Sequence, residues 1–133
     1  MKNQQEIIDD FEIFDDWMEK YQYIIDLGKD LNTLSDCEKI DMNKLQGCQS
    51  QVWIVHEKQK DRLIFRAESD AAIVAGLVAL VLSIYSGKTP AEILQTQPTF
   101  ISKIGLDKHL SSTRSNGLSS LLNKIQEVAQ SYC

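Results

Sequence analysis

The chain has 133 residues, 43% of them hydrophobic and 25% charged, with a formal charge of −5. That is one domain with the balance of a globular protein, able to bury roughly two-thirds of its unfolded surface without disulfide staples. The acidic balance, with no clustered Lys/Arg stripe, sets nucleic acid aside as a partner, and three irregularly spaced cysteines without a CxxC pair set aside a disulfide scaffold, a thioredoxin-type redox centre and a zinc ribbon, suiting a reducing cytosol instead.

Taken in order, the chain opens on a polar, acidic stretch without the apolar core of a signal peptide. Asn3 can cap a first helix, with Glu6 as the return half of a capping box. Ile7, Ile8, Phe11 and Phe14 then recur at helical spacing. A second helix is expected over 15–27, with Asp15 and Asp16 at its positive end. Its buried stripe would be Trp17, Tyr21, Ile24 or Ile25, and Leu27, and Gly28 its stop. Residues 29–43 read as a polar connection anchored by Leu31 and Leu34. Three short strands follow, over 44–46, 52–56 and 62–67, the last two joined by a charged turn, as in a small antiparallel meander.

Ser69 or Asp70 would cap the next helix. Its residues 71–82 carry no charge and are apolar on every side, so it should be the central core helix, with Gly76 allowing close packing. Counted through Tyr85, it falls short of the ~20 apolar residues of a membrane span. Gly87 ends it. Thr89-Pro90-Ala91-Glu92 is a helix start with cap, proline and return glutamate. A short helix over 100–104 ends at Gly105, and Ser111 or Ser112 caps a last helix. There Leu118, Leu121, Leu122, Ile125, Val128 and Ala129 share a face. Arg114 falls in or near its first turn, where a cation opposes the helix dipole. It is expected to be held by an anion or a carboxylate, the alternative being a solvent-facing arginine. Three short strands with helices before and after them in the chain make the fold α+β, a small antiparallel three-stranded sheet packed against several helices, as a single domain over 1–133.

The chemistry concentrates in Leu45-Gln46-Gly47-Cys48-Gln49-Ser50-Gln51-Val52-Trp53. Gly47 permits a turn with φ > 0 or a close approach. Gln49, Ser50 and Gln51 offer donors to a sulfur anion, and loops on rigid sheets are where reactive residues sit. A thiol attacks as its thiolate and needs a polar setting with access. From residue types alone, Cys48 reads equally well as a small buried hydrophobe. Cys37, in a charged segment, and Cys133, the last residue, read as incidental. His56 reads as an exposed strand-end residue, and His109 as one that caps or packs.

Gly47-Cys48-Gln49-Ser50-Gln51-Val52-Trp53 resembles the signature of the SufE family, sulfur acceptors for cysteine desulfurases. Three more blocks resemble it in the same order: Tyr23 to Lys29, Ser69-Asp70-Ala71-Ala72-Ile73-Val74 with Gly76-Leu77, and His109-Leu110 followed by Arg114-Ser115-Asn116-Gly117-Leu118. The resemblance implies a SufE/IscU-like fold, a cytoplasmic sulfurtransferase-type accessory protein, and Cys48 as the acceptor thiol that becomes a persulfide. It implies a SufS-type cysteine desulfurase as donor and a SufB-containing scaffold complex as receiver, and favours a homodimer. Pyridoxal phosphate belongs to the partner desulfurase; no cofactor or metal is expected on this chain, which is not a desulfurase by itself. Asp70 and Arg114 match recurring family positions that hold the cysteine loop or a dimer contact. Three alternatives stand beside this reading. One is a CsdE-type acceptor serving a CsdA-type desulfurase. Another is an Fe–S scaffold, which requires several convergent thiolates. The third is a plain protein-binding adaptor.

Overall fold

Fourteen residues without a charge, Ala72–Tyr85, form helix α3, and they can be stable only if covered on nearly every side. Nine of them are buried, among them Leu77, Leu80, Val81 and Ile84. The computed structural model describes residues 4–31, 34–47 and 50–133. Asn3, expected to cap the first helix, lies outside the described residues, as do Cys48 and Gln49.

Helix α1 (Gln4–Glu12) buries Ile7, Ile8 and Phe11. It stops before Phe14, which lies past the helix and packs its ring on Tyr23, 5.2 Å between centroids. Gln4 ties the start of α1 to a distant turn through both ends of its amide. Nε2 donates to the Gln97 carbonyl at 2.8 Å, and Oε1 accepts from the Phe100 N–H at 3.0 Å. Helix α2 (Trp17–Gly28) is capped by Asp16, whose carboxylate accepts from the Glu19 N–H at 2.9 Å. Of its expected stripe, only Ile24 is fully buried.

The contact between α2 and α3 is made backbone to backbone. A Cβ on Gly28 would stand 2.6 Å from the Gly76 nitrogen, and a Cβ on Gly76 would overlap the Ile24 carbonyl oxygen. Gly28, expected as a helix stop, is the last helical residue, and its lack of a side chain serves this crossing. The expected close approach at Gly76 is realised.

Strands β1 (Val52–Gln59) and β2 (Arg62–Ser69) pair antiparallel, from Val52↔Ser69 to Gln59↔Arg62, and Lys60 takes φ +59 in the two-residue turn between them. Val52 and Ile54 face the core with Leu63, Phe65 and Ala67. Residues 44–46, expected as a strand, contribute one isolated bridge, Lys44↔Trp53. The 3-10 turn Asp41–Asn43 delivers this segment and Gly47 turns it away at φ +88, so the ladder has no room to grow. The sheet among the described residues is therefore two-stranded, and the α+β class stands.

The connection before it is fastened to the polar residues of β2. Glu38 receives both Nη groups of Arg66, Lys39 pairs with Glu68 at 3.1 Å, and Glu68 also accepts the Leu34 N–H at 2.9 Å. Leu34 is buried beneath, as expected, and Leu31 packs against the core.

The second half of the chain follows its local signals. Helix α4 (Pro90–Gln95) starts on a complete Thr89/Glu92 capping box. Helix α5 (Phe100–Ile104) ends at Gly105, φ +97. The one-turn helix α6 (Leu106–His109) leads to α7 (Ser112–Ser131), which Ser111 caps and which buries all six expected residues. Among the described residues no helix is long and apolar enough to cross a membrane.

Two outcomes follow from this packing. Gly76→Ala forces a methyl group into the α2 backbone, and overpacking of this kind costs about 1–3 kcal/mol, read as a lower urea midpoint with unchanged slope. The Arg66 hydrogen bonds hold the Glu38 carboxyl down from its ordinary 4.5 to about 2. A depressed carboxyl stabilises the fold above its unfolded value and stops doing so as pH falls through its folded value. The difference in thermal midpoint between wild type and Glu38→Gln should therefore be largest above 4.5 and shrink toward zero near 2.

Candidate functional site

The segment that carries Cys48 is fixed at its base from both sides. On the entering side, the Leu45 N–H donates to the Val52 carbonyl at 2.7 Å and Lys44 bridges to Trp53. Gly47 then takes φ +88, and a Cβ there would overlap the Ser120 hydroxyl of α7. Both uses expected of this glycine, the left-handed turn and the close approach, are present together. On the leaving side, the Gln51 N–H donates to the Asp70 carboxylate at 3.1 Å, and the Asp70 N–H returns to the Gln51 carbonyl at 3.3 Å.

Asp70 therefore does not cap α3. Ala71 occupies the cap position with no side-chain hydrogen bond, and the Ser69 hydroxyl accepts from the Ala71 N–H at 3.3 Å. The carboxylate is used across the chain, where it satisfies a loop N–H that the two-stranded ladder leaves without a strand partner.

Beside this loop lies a cavity of about 420 Å³. Leu45, Ser50 and Val52 line it from the loop and its flanks, and Val74, Leu77 and Val78 from α3. Gly117, Leu118 and Leu121 close it from α7, with Ser111, Thr113 and Arg114 at that helix's start. Its walls are aliphatic and its polar groups are hydroxyls and one guanidinium. Cys48, the candidate acceptor, lies outside the described residues; Ser50, two residues on, lines this cavity.

Arg114 departs from expectation. Its Nη1 donates at 3.0 Å to the phenolic oxygen of Tyr21 on α2, and among the described residues no carboxylate pairs with it. No local signal linked Tyr21, on a stripe read as core, to a residue at the far end of the chain.

The remaining candidates are elsewhere. Cys37 and Cys133 are free and exposed. His109 stacks on Trp17 at 4.1 Å and 12°, the packing role expected of it. His56 meets the Tyr132 ring edge-on at 5.8 Å; burial first, and then the Lys124 charge, lower its affinity for a proton. A second cavity of about 350 Å³ is edged by Met42, Lys44, Gln46, Asn123, Lys124 and Glu127. Among the described residues no group of three or more His, Cys, Asp or Glu side chains could hold a metal ion.

Comparison with known proteins agrees with this architecture. Residues 5–129 match the family model described as SufE, an Fe-S metabolism associated domain. An uncharacterized SufE-like protein of Rhizobium meliloti (strain 1021) is 46% identical over 98% of this chain and 96% of its own. Another, from Rhizobium etli, is 47% identical over 98% of this chain and 91% of its own. The solution structure of a hypothetical protein from Thermus thermophilus superposes with a TM-score of 0.78 at 15% identity, covering 96% of this chain and 93% of that one, a likeness of fold.

The base of the loop can be tested without reference to sulfur. In Asp70→Ala the Gln51 amide loses its acceptor and should exchange with solvent at least ~10-fold faster by NMR, while the Leu45 amide, bonded to Val52, keeps its protection.

Proposed function

Because the chain belongs to the SufE family, whose members serve sulfur transfer with cysteine desulfurases, we propose that it is a sulfur acceptor and carrier with Cys48 as its working thiol. The observation that carries this reading is the pinned loop: the segment that contains the cysteine is held at both ends, and its Leu45, Ser50 and Val52 line an aliphatic cavity. The donor is a SufS-type desulfurase that holds sulfur from L-cysteine as a cysteine persulfide. The Cys48 thiolate attacks the outer sulfur of that persulfide. A new S–S bond forms on Cys48, the partner's S–S bond breaks, and the partner cysteine leaves as a thiolate. One thiolate replaces another, so no external oxidant or reductant is consumed. A second exchange passes the sulfur to a SufB-containing scaffold for Fe–S cluster assembly.

The pyridoxal phosphate that labilises L-cysteine sits on the desulfurase; on this chain the work is done by a thiol and its surroundings. A persulfide open to solvent reacts with stray thiols and oxidants. Aliphatic walls from Leu45, Val52, Val74, Leu77 and Leu118 suit its shelter between transfers, with Cys48 swinging out when a partner docks. An odd number of irregularly spaced cysteines fits a reducing cytoplasm. Family likeness also favours a homodimer.

The deciding experiment is intact mass under non-reducing conditions after mixing with a SufS-type desulfurase and L-cysteine. Wild type should gain one sulfur, removable by a thiol reductant, and Cys48→Ser none. Gain of the same sulfur by Cys48→Ser would overturn the assignment. Repeating the mixture with a CsdA-type enzyme distinguishes a CsdE-type acceptor from a wrong site.

A further inference from the structure

The corner between α1 and α2 carries more apolar side chains than its own packing uses. Phe14 and Trp17 fasten it to the domain, Phe14 with its ring on Tyr23 and Trp17 stacked on His109. Ile13 and Met18, their neighbours in the chain, are left 75% and 76% exposed. Asp16 caps α2 and Gln4 ties down α1, so this pair is presented on a fixed frame. Large apolar side chains exposed within a polar rim mark a contact surface, and a rigid frame lowers the entropy lost when they are covered.

The rim decides what can cover them. Glu12, Asp15, Asp16 and Glu19 alternate with the pair along the corner and are exposed. Residues 4–19 contain no lysine or arginine, and among the described residues no ion pair engages Glu12 or Asp15. This field repels nucleic-acid phosphates and anionic lipid. It equally repels a second copy seated on the same face, acid against acid.

Resting on the sulfur-carrier reading for the choice of partner, we infer that the Ile13/Met18 corner docks a protein of the sulfur relay through an apolar pocket rimmed by lysine and arginine. The two side chains fill the pocket and the four carboxylates meet its rim. The corner shares no element with the cysteine segment, so docking and sulfur exchange are separable by mutation.

The test titrates the whole protein, as Cys48→Ser so that no covalent exchange contributes, with a SufS-type desulfurase and with a SufB-containing complex, at low and at physiological salt. Two double variants are compared, Glu12→Gln with Asp15→Asn, and Ile13→Ser with Met18→Ser. Asp16 stays, because it caps α2. All four altered side chains are exposed, so thermal midpoints should not move. With one of the two proteins, the charge variant should bind ~5- to 10-fold more weakly at low salt, a difference that shrinks as salt is raised. The apolar variant should bind that protein ~10-fold more weakly at both salts. Affinities for both proteins indifferent to these changes, tighter binding on charge removal, or binding of neither protein would overturn the inference. So would self-association of the parent protein that is lost in Ile13→Ser with Met18→Ser. Failure of the sulfur-carrier reading is seen separately, as a wild type that gains no sulfur from either desulfurase.

Discussion

The backbone contact between Gly76 and the Ile24–Gly28 turn of α2 is the constraint on which the remaining geometry rests. An all-apolar helix needs cover on every side, and ordinary side-chain layers would hold α2 a full side chain away. Two glycines let the helices meet main chain to main chain. That fixes the depth of α3 in the domain, and with it Val74, Leu77 and Val78, which form one wall of the cavity. It also fixes the height of Tyr21, one turn before Ile24 on α2. The packing that stabilises the fold and the packing that shapes the site are one set of contacts.

Around that core the cysteine segment is secured by economical means. Among the described residues a β-bridge and a backbone hydrogen bond close its entry, and a reciprocal pair of hydrogen bonds between Gln51 and Asp70 closes its exit. Between those points lies a turn that only glycine takes easily, pressed against a serine of α7. The charged residues of the preceding connection are committed to β2, Glu38 to Arg66 and Lys39 to Glu68. Glu38 and Glu68 are thereby paired, and Arg114 is the one charged side chain among the described residues that line the cavity.

What the sequence made legible was local. The Thr89 capping box, the Gly105 stop and the six-residue face of α7 need information only from their own turn or from helical spacing, and all appear where read. The family blocks include Asp70, which the fold sets against Gln51, and Arg114, which lines the cavity together with Ser50. The partners were not legible. Asp70 has the chemistry of a helix cap, and only the tertiary placement of Gln51 turns it into a loop clamp. Arg114 called for an anion by the logic of the helix dipole, and the fold supplies a tyrosine from a helix early in the chain. Residues 44–46 carry a strand-like beginning, but a 3-10 turn on one side and the left-handed Gly47 on the other leave room for one bridge. Propensity reports what a segment can do; the distant neighbour decides which of those options is used.

The contact between Gly47 and Ser120 has a consequence for descent. The backbone at position 47 is left-handed, so glycine is retained there on conformational grounds alone, and the serine hydroxyl already occupies the space beyond it. Drift at position 120 is thereby restricted to small side chains, although nothing in the stretch around Ser120 advertises a link to sulfur. A lineage that enlarged this residue would lift the cysteine turn off its helix before any part of the motif itself had changed. The heritable unit of this site thus includes a position in the last helix, far along the chain from the cysteine it supports.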